Sequence, residues 1–351
     1  MTASIPVFYS ETHRLHAPAY MLSRGAEAPA LETPDRADAL AAALSAAGSR
    51  LIAPRDFGLD PLAKIHTRDY LEFLASAYDR WQELRATTRF PMSPIVQASA
   101  LALGYIHRPP RTLIAQAPHY LGGGYAPLDA GTFRAATTSA HAALEGAEAL
   151  LAGQRIAYAL CRPPGHHAYA AMAGGFCYLN NVAIAAQHLV ERLGCVSIVD
   201  IDVHHGNGTQ ALFYERDDVM TVSVHVDPTN IYPFCCGYAD ETGAGRGRGW
   251  NLNLPLPVGS DDAAYVAAVQ RAIAHIRTTG SSALLVSLGF DAYAGDPTAA
   301  MSVTADGFRA AGEAIGRLGL PTLLVQEGGY AVEALGSNVQ AFLSGLLQHA
   351  A

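Results

Sequence analysis

Residues 196–210 read Val-Ser-Ile-Val-Asp-Ile-Asp-Val-His-His-Gly-Asn-Gly-Thr-Gln. An aliphatic run passes without a break into Asp200, Asp202, His204 and His205, and reaches its first glycine only at Gly206. Short runs rich in Val and Ile are the signature of strands buried on both faces of a parallel sheet. Such sheets place their sites beyond the carboxyl ends of the strands. The stretch therefore predicts a strand over 196–202 whose end carries chemistry.

Working outward, similar short runs occupy 5–9, 50–53, 155–161, 219–225, 283–289 and 322–326. Helical patterns lie between them at 135–152, 181–193, 261–279 and 304–318, closed by Gly153, Gly194, Gly280 and Gly319. Glycine just past a helix end relieves left-handed strain, and Ser260 with two acids, like Thr304, suits a helix start. Alternating strands and helices give an α/β protein with a parallel sheet covered on both faces. No repeat, charge block or linker divides the chain, so residues 1–351 are read as a single domain.

Composition narrows the class. The 351 residues are 50% hydrophobic and 15% charged, which excludes a disordered or collagenous chain. The net charge of −8 argues against a nucleic-acid binder that neutralises phosphates. The five cysteines contain no CxxC pair, so neither a disulfide scaffold nor a cysteine zinc knuckle is expected. The adjacent Cys235 and Cys236 read as reduced loop thiols. No apolar run approaches the ~20 residues of a membrane span, and the N-terminus lacks a secretory pattern. A cytoplasmic protein is expected. Residues 84–128 are weakly periodic, rich in Pro and Gly, carry Arg85, Arg89, Arg108 and Arg111, and contain no Asp or Glu. They read as a long loop insertion with a functional or interface role.

Five strand ends run into polar residues: His166-His167, Asp202 to His205, His225, Asp291, and Glu327 to Tyr330. Buried polar groups need partners, so five such ends on one rim point to a site. Asp200, Asp202 and His204, at i, i+2 and i+4, share one face of an extended chain. With Asp291 from a distant strand, Asp202 and His204 make an N/O triad with an open fourth position, the arrangement of a catalytic zinc. Fe²⁺ or Co²⁺ also suits these ligands. His166 and His167, aimed by the preceding Pro-Pro-Gly turn, are left as electrostatic helper and general base. Asp200 and Asn207 are available behind them to make the two rings differ in basicity. The Tyr330 phenol, after Gly328-Gly329, is placed to donate to a developing oxyanion. Phe176 and Tyr232 sit on loops just past these strand ends.

These residues fall into blocks: Arg162-Pro-Pro-Gly-His-His-Ala168, Gly175-Phe-Cys-Tyr-Leu-Asn-Asn181, Asp200-Ile-Asp-Val-His-His-Gly-Asn-Gly-Thr-Gln210, Gly289-Phe-Asp291 with Gly295-Asp-Pro297, and Glu327-Gly-Gly-Tyr330. Together they resemble the zinc-dependent histone deacetylase superfamily over nearly the whole chain. Asn207 resembles the class II and bacterial branch, and the segment from Asp227-Pro228 to Gly243 and the insertion before Asp129 resemble the bacterial acetylpolyamine amidohydrolases. The resemblance implies the arginase/deacetylase fold, a single eight-stranded parallel sheet between helices. It implies a zinc amidohydrolase that removes acetyl groups from N-acetylated amines, with Asp202, His204 and Asp291 on one zinc. His167 is then base and later acid, His166 its partner, and Tyr330 the carbonyl polariser. Gly175, Phe176 and Tyr232 line the substrate channel. A structural potassium site at Asp200, Asp202, His204, Ser223 and Val224 is also implied, as are a second at Phe213, Arg216, Val219 and Trp250 and a homodimer built through 84–128. The missing acids in 84–128 leave acetyl-lysine or another slim N-acetyl amine beside an acetylpolyamine as substrate. A dinuclear-manganese ureohydrolase of the arginase type and a silent acetyl-ligand binder are the competing readings.

Overall fold

The structure is a computed structural model that describes residues 5–23, 26–87, 110–229, 231–298 and 300–349. Its strands are β1 (Pro6–Phe8), β2 (Tyr20–Ser23), β3 (Ala26–Pro29), β4 (Arg50–Ile52), β5 (Ile156–Ala159), β6 (Val196–Asp200), β7 (Val219–Val226), β8 (Asn251–Leu256), β9 (Leu284–Leu288) and β10 (Thr322–Gln326). Eight of them form one sheet in the order β4-β1-β5-β10-β9-β6-β7-β8. Every pairing in that sheet is parallel. β2 and β3 form a separate antiparallel hairpin.

Alternation along the strands divides the core into two layers. Val199, Val286 and Leu324 face one layer, completed by α1 (Pro34–Ala46), α7 (Asp262–Ile276), α8 (Ala305–Gly316) and α9 (Val332–Leu346). Ile198, Leu285 and Leu323 face the other, covered by α2 (Arg68–Thr87), α3 (Leu113–Tyr120), α4 (Thr132–Leu151), α5 (Asn181–Leu193) and α6 (Asn207–Phe213). The helix ends follow local chemistry. The Asn180 side chain accepts from Ala183 N to start α5, and Gly194, at φ +80°, ends it. Thr304 accepts from Asp306 N at the start of α8. Asp261, rather than Ser260, caps α7 by accepting from Ala264 N.

Several expectations are corrected. β6 ends at Asp200, so Asp202 and His204 do not lie on an extended strand; they gather on the bend that follows. The other expected strands are present within a few residues. β8 escapes the aliphatic pattern because Asn251 and Asn253 point inward, where both donate to Gln210 Oε1 at 2.8 Å. Helices α1, α2 and α9 were not among the expected patterns. The insertion is not a loop at its margins: residues 84–87 finish α2, and α3 lies inside it. Residues 88–109 lie outside the described residues. No helix among the described residues is long and apolar enough to cross a membrane.

Candidate active site

The carboxyl ends of β5, β6, β9 and β10 open on a cleft of about 920 Å³, with His167, His204 and Tyr330 in its lining. Three groups of side chains among the described residues come close enough to hold a metal ion, and of these only Asp202, His204 and Asp291 reach the cleft, through His204. His204 Nδ1 stands 3.2 Å from Asp202 Oδ1 and 3.2 Å from Asp291 Oδ2. The outer oxygens are held by the backbone: Gly328 N donates to Asp202 Oδ2 at 2.8 Å, and Val203 N donates to Asp291 Oδ1 at 2.9 Å. The inner atoms thus converge on one point.

Two glycines make that convergence possible. A Cβ on Gly328 would fall 2.3 Å from Asp291 Oδ2 and 2.5 Å from Asp202 Oδ2, and one on Gly289 would fall 2.2 Å from Asp202 Oδ2. The electrostatics ask for positive charge. Burial, with the Asp202 charge beside it, lifts Asp291 to about 7. Burial opposes protonation of His204, but the two carboxylates outweigh it and lift that ring to about 10. One imidazole and two carboxylates in this cradle fit a single divalent cation with room for a further ligand.

Beside the triad, the two histidine rings lie with centroids 3.9 Å apart. His166 Nδ1 donates to Asp200 Oδ2 at 2.9 Å, and His167 Nδ1 donates to Asn207 Oδ1 at 2.6 Å. Burial disfavours charge on both, yet the outcomes diverge. The carboxylates of Asp200 and Asp202 hold His166 well above the ordinary value. His167 has only an amide behind it and neighbouring imidazoles beside it, and it falls well below. A charged ring and a neutral ring stand side by side, and the neutral one faces the cleft.

The wall is aromatic. The Tyr232 ring meets His167 edge-on at 4.7 Å, and Phe176 meets Tyr330 at 5.7 Å. Tyr125 touches both Phe176 and Tyr232, with centroids 6.2 Å away in each case. Phe176 adopts φ +66°, and Gly175 before it adopts φ +52°. A Cβ at Gly175 would lie 2.3 Å from His167 Cδ2, so only glycine admits this approach. Met21 and Ser23 of the hairpin complete the mouth.

Sequence reasoning missed the supports. Glu327, fully buried and lifted by burial to about 7, accepts from Gly165 N at 2.7 Å and His166 N at 3.1 Å, fixing the turn that carries the histidines. Asp296 Oδ2 accepts from Tyr330 N and Ala331 N. Arg36, from the first turn of α1, donates to the carbonyls of Glu327 and Gly329 and pairs with Glu32, its guanidinium 4.6 Å from the Tyr330 ring centroid. These partners come from distant segments, and only Glu327 and Asp296 lay inside the motif blocks as a signal. Of the expected potassium residues, strand register sets Asp200 opposite Ser223, whose hydroxyl bonds His225 Nδ1. In the second set, Phe213 O accepts from Arg216 N, and Trp250 O accepts from both the backbone N and the hydroxyl of Thr221.

A model of the histone deacetylase domain matches residues 30–346. The chain belongs to the histone deacetylase family. Within that family it is 44% identical over 339 residues to the acetylpolyamine amidohydrolase of Burkholderia pseudomallei, covering 96% of this chain and 97% of that one. It is 44% identical over 348 residues to acetylpolyamine amidohydrolase 2 of Pseudomonas aeruginosa, with 96% and 97% covered. The crystal structure of the acetylpolyamine aminohydrolase from Burkholderia pseudomallei superposes with a TM-score of 0.91, at 44% identity and 98% coverage of both chains.

Proposed function

We propose that the protein is a metal-dependent amidohydrolase that removes the acetyl group from N-acetylated primary amines. The observation that carries this reading is the carboxylate of Asp200 behind His166 and the amide of Asn207 behind His167, directly beside the Asp202–His204–Asp291 cradle. A divalent cation held there, zinc in our reading, supplies Lewis acidity for a carbonyl and a water.

The protein's own groups do the rest. Asn207 occupies His167 Nδ1, which leaves Nε2 unprotonated and facing the cleft. His167 takes the proton of the attacking water there and returns it to the leaving amine nitrogen. His166, kept charged by Asp200, holds positive potential behind that transfer. The Tyr330 hydroxyl donates to the oxyanion as it forms. Gly175, Phe176, Tyr125 and Tyr232 form a narrow apolar wall that suits a slender alkyl chain and excludes water from the acetamide. The relatives' names support an acetylated polyamine as substrate, within the wider class of N-acetyl amines.

Within the same reading, residues 1–351 form one catalytic domain. A structural potassium ion belongs beside Asp200, Asp202, His204, Ser223 and Val224, and a second by Phe213, Arg216, Val219 and Trp250. A homodimer forms through the insertion, and the protein works in the cytoplasm, in keeping with five free thiols. The test is acetate release from a panel of N-acetylated polyamines, alkylamines and acetyl-lysine peptides by the zinc-loaded protein, with Asp291→Ala in parallel. The variant should lose both the metal, by elemental analysis, and turnover. Metal retained at one equivalent by the variant refutes the ligand assignment, and no acetate from any substrate refutes the reaction.

A further inference from the structure

The segment that carries the two histidines and the first turn of α6 are locked face to face. Thr209 N donates to His166 O at 3.1 Å, and Asn180 Nδ2 donates to Ala168 O at 3.1 Å. A Cβ on Gly208 would fall 2.3 Å from Ala168 O and 2.6 Å from the His167 carbonyl carbon, so only glycine lets α6 start this close. Tyr169 is pinned on the same run. Its N donates to Met172 O at 2.9 Å, and its carbonyl accepts from His66 Nδ1 at 3.0 Å.

Between these fixed backbones lies the Asn207 side chain. The residue is 4% exposed, too little for water to stand in for either partner. Its Oδ1 accepts from His167 Nδ1 at 2.6 Å, and its Nδ2 donates to the Tyr169 hydroxyl oxygen at 2.8 Å. The two ends of an amide have nearly the same shape and opposite hydrogen-bonding character. Turned end for end, Asn207 would offer an N–H to His167. The ring could accept it only through a bare Nδ1, and the proton of the neutral ring would then sit on Nε2, facing the cleft. A ring in that tautomer cannot take a proton from water. The orientation of one buried amide therefore decides whether the base is competent.

We propose that Tyr169 is a positioning residue for His167: its hydroxyl holds the Asn207 amide in the orientation that keeps Nε2 bare. The inference rests on the reading of His167 as the base. The phenol oxygen supplies the acceptor that Nδ2 needs in that orientation. Without it a buried N–H goes unpaired, which is costly, and the turned amide escapes that cost by donating to His167 Nδ1. A carboxylate at position 207 has no such choice, because both of its oxygens accept. The contribution of Tyr169 therefore exists only while residue 207 is an amide.

The test is a double-mutant cycle on the zinc-loaded protein, read by steady-state kinetics on N-acetylcadaverine. Tyr169→Phe should lower kcat about 10-fold, the scale of losing a supporting hydrogen bond, and leave KM nearly unchanged. Added to Asn207→Asp, the same change should cost less than about twofold in kcat, within the scatter of such cycles. A merely structural Tyr169 costs the same in both backgrounds. Equal losses overturn the proposal, and so does an undiminished kcat in Tyr169→Phe. A second readout needs no turnover. Nitrogen-15 spectra of histidine-labelled protein, with His167 assigned by its loss in His167→Gln, should place the proton on Nδ1 in the natural protein and on both nitrogens in part in Tyr169→Phe. An unchanged tautomer in the variant overturns the proposal. If no acetate is released at all, the spectra still decide the role of Tyr169, and the reaction proposed above is what falls.

Discussion

At the scale of single residues, environment rather than identity separates the site's histidines. His166 and His167 are adjacent in sequence and equally buried, and the acid behind one and the amide behind the other give them opposite protonation. That contrast is readable from Asp200 and Asn207 in the sequence, because both fall inside a compact block. Tyr330 is less self-evident. Its ring sits between Phe176 and Arg36, and its backbone is held by Asp296. Tyr330→Phe should keep the metal and the fold but lose ~10²-fold in kcat, the usual cost of one oxyanion donor; steady-state kinetics beside elemental analysis decides it. His66 offers a test away from the chemistry. It is buried, its Nε2 accepts from Asn180 N, and burial lowers it to about 4. The unfolded chain takes up a proton near pH 6.5 and the folded one does not until about 4, so this group's support is full above 6.5 and fades as pH falls toward 4. The effect is on the order of 3 kcal/mol. Denaturant titrations from pH 7 to pH 4 should show a shallower acid loss for His66→Gln than for the natural protein.

At the scale of elements, the aliphatic strands were legible almost residue by residue, since burial on both faces leaves no other composition open to them. β10 matches its expected bounds, and the helix stops at Gly194 and Gly319 carry positive φ. What stayed hidden was structure whose partner is remote. β8 is a strand because its asparagines bond Gln210 of α6, and nothing local announces that. The hairpin of β2 and β3 acquires its meaning only where Met21 and Ser23 reach the cleft. Helix α1 is the sharper case. Its Arg36 pins the turn between β10 and α9 through two carbonyls and shares Glu32 with Arg162. Removing one member of a buried ionic cluster typically costs 3–5 kcal/mol. Arg36→Leu should therefore lower the unfolding free energy by about 3 kcal/mol, measured in urea at pH 7, and an unchanged midpoint would show the cluster to be idle.

At the scale of the whole molecule, charge bears on substrate choice. The net charge is −8, yet 84–128 holds four arginines and no acid, and no carboxylate lines the described cleft. A distal ammonium on the substrate finds no counter-charge in either place. The neutral N-acetylpentylamine should therefore show a kcat/KM at least equal to that of N-acetylcadaverine, its cationic counterpart. A tenfold advantage for the cation would locate an acid these residues do not supply. The strand order carries one more consequence. β10, the last strand along the chain, lies in the middle of the sheet between β5 and β9. In a growing chain β5, and β9 once residues 284–288 are made, each lack the strand that lies between them, so the two half-sheets stay unjoined until residues 322–326 emerge. Unpaired edges of this kind are liable to associate with other chains until the last strand fills the gap. Joining the halves and delivering Tyr330 to the cleft occur together, so the catalyst switches on only at the final stitch.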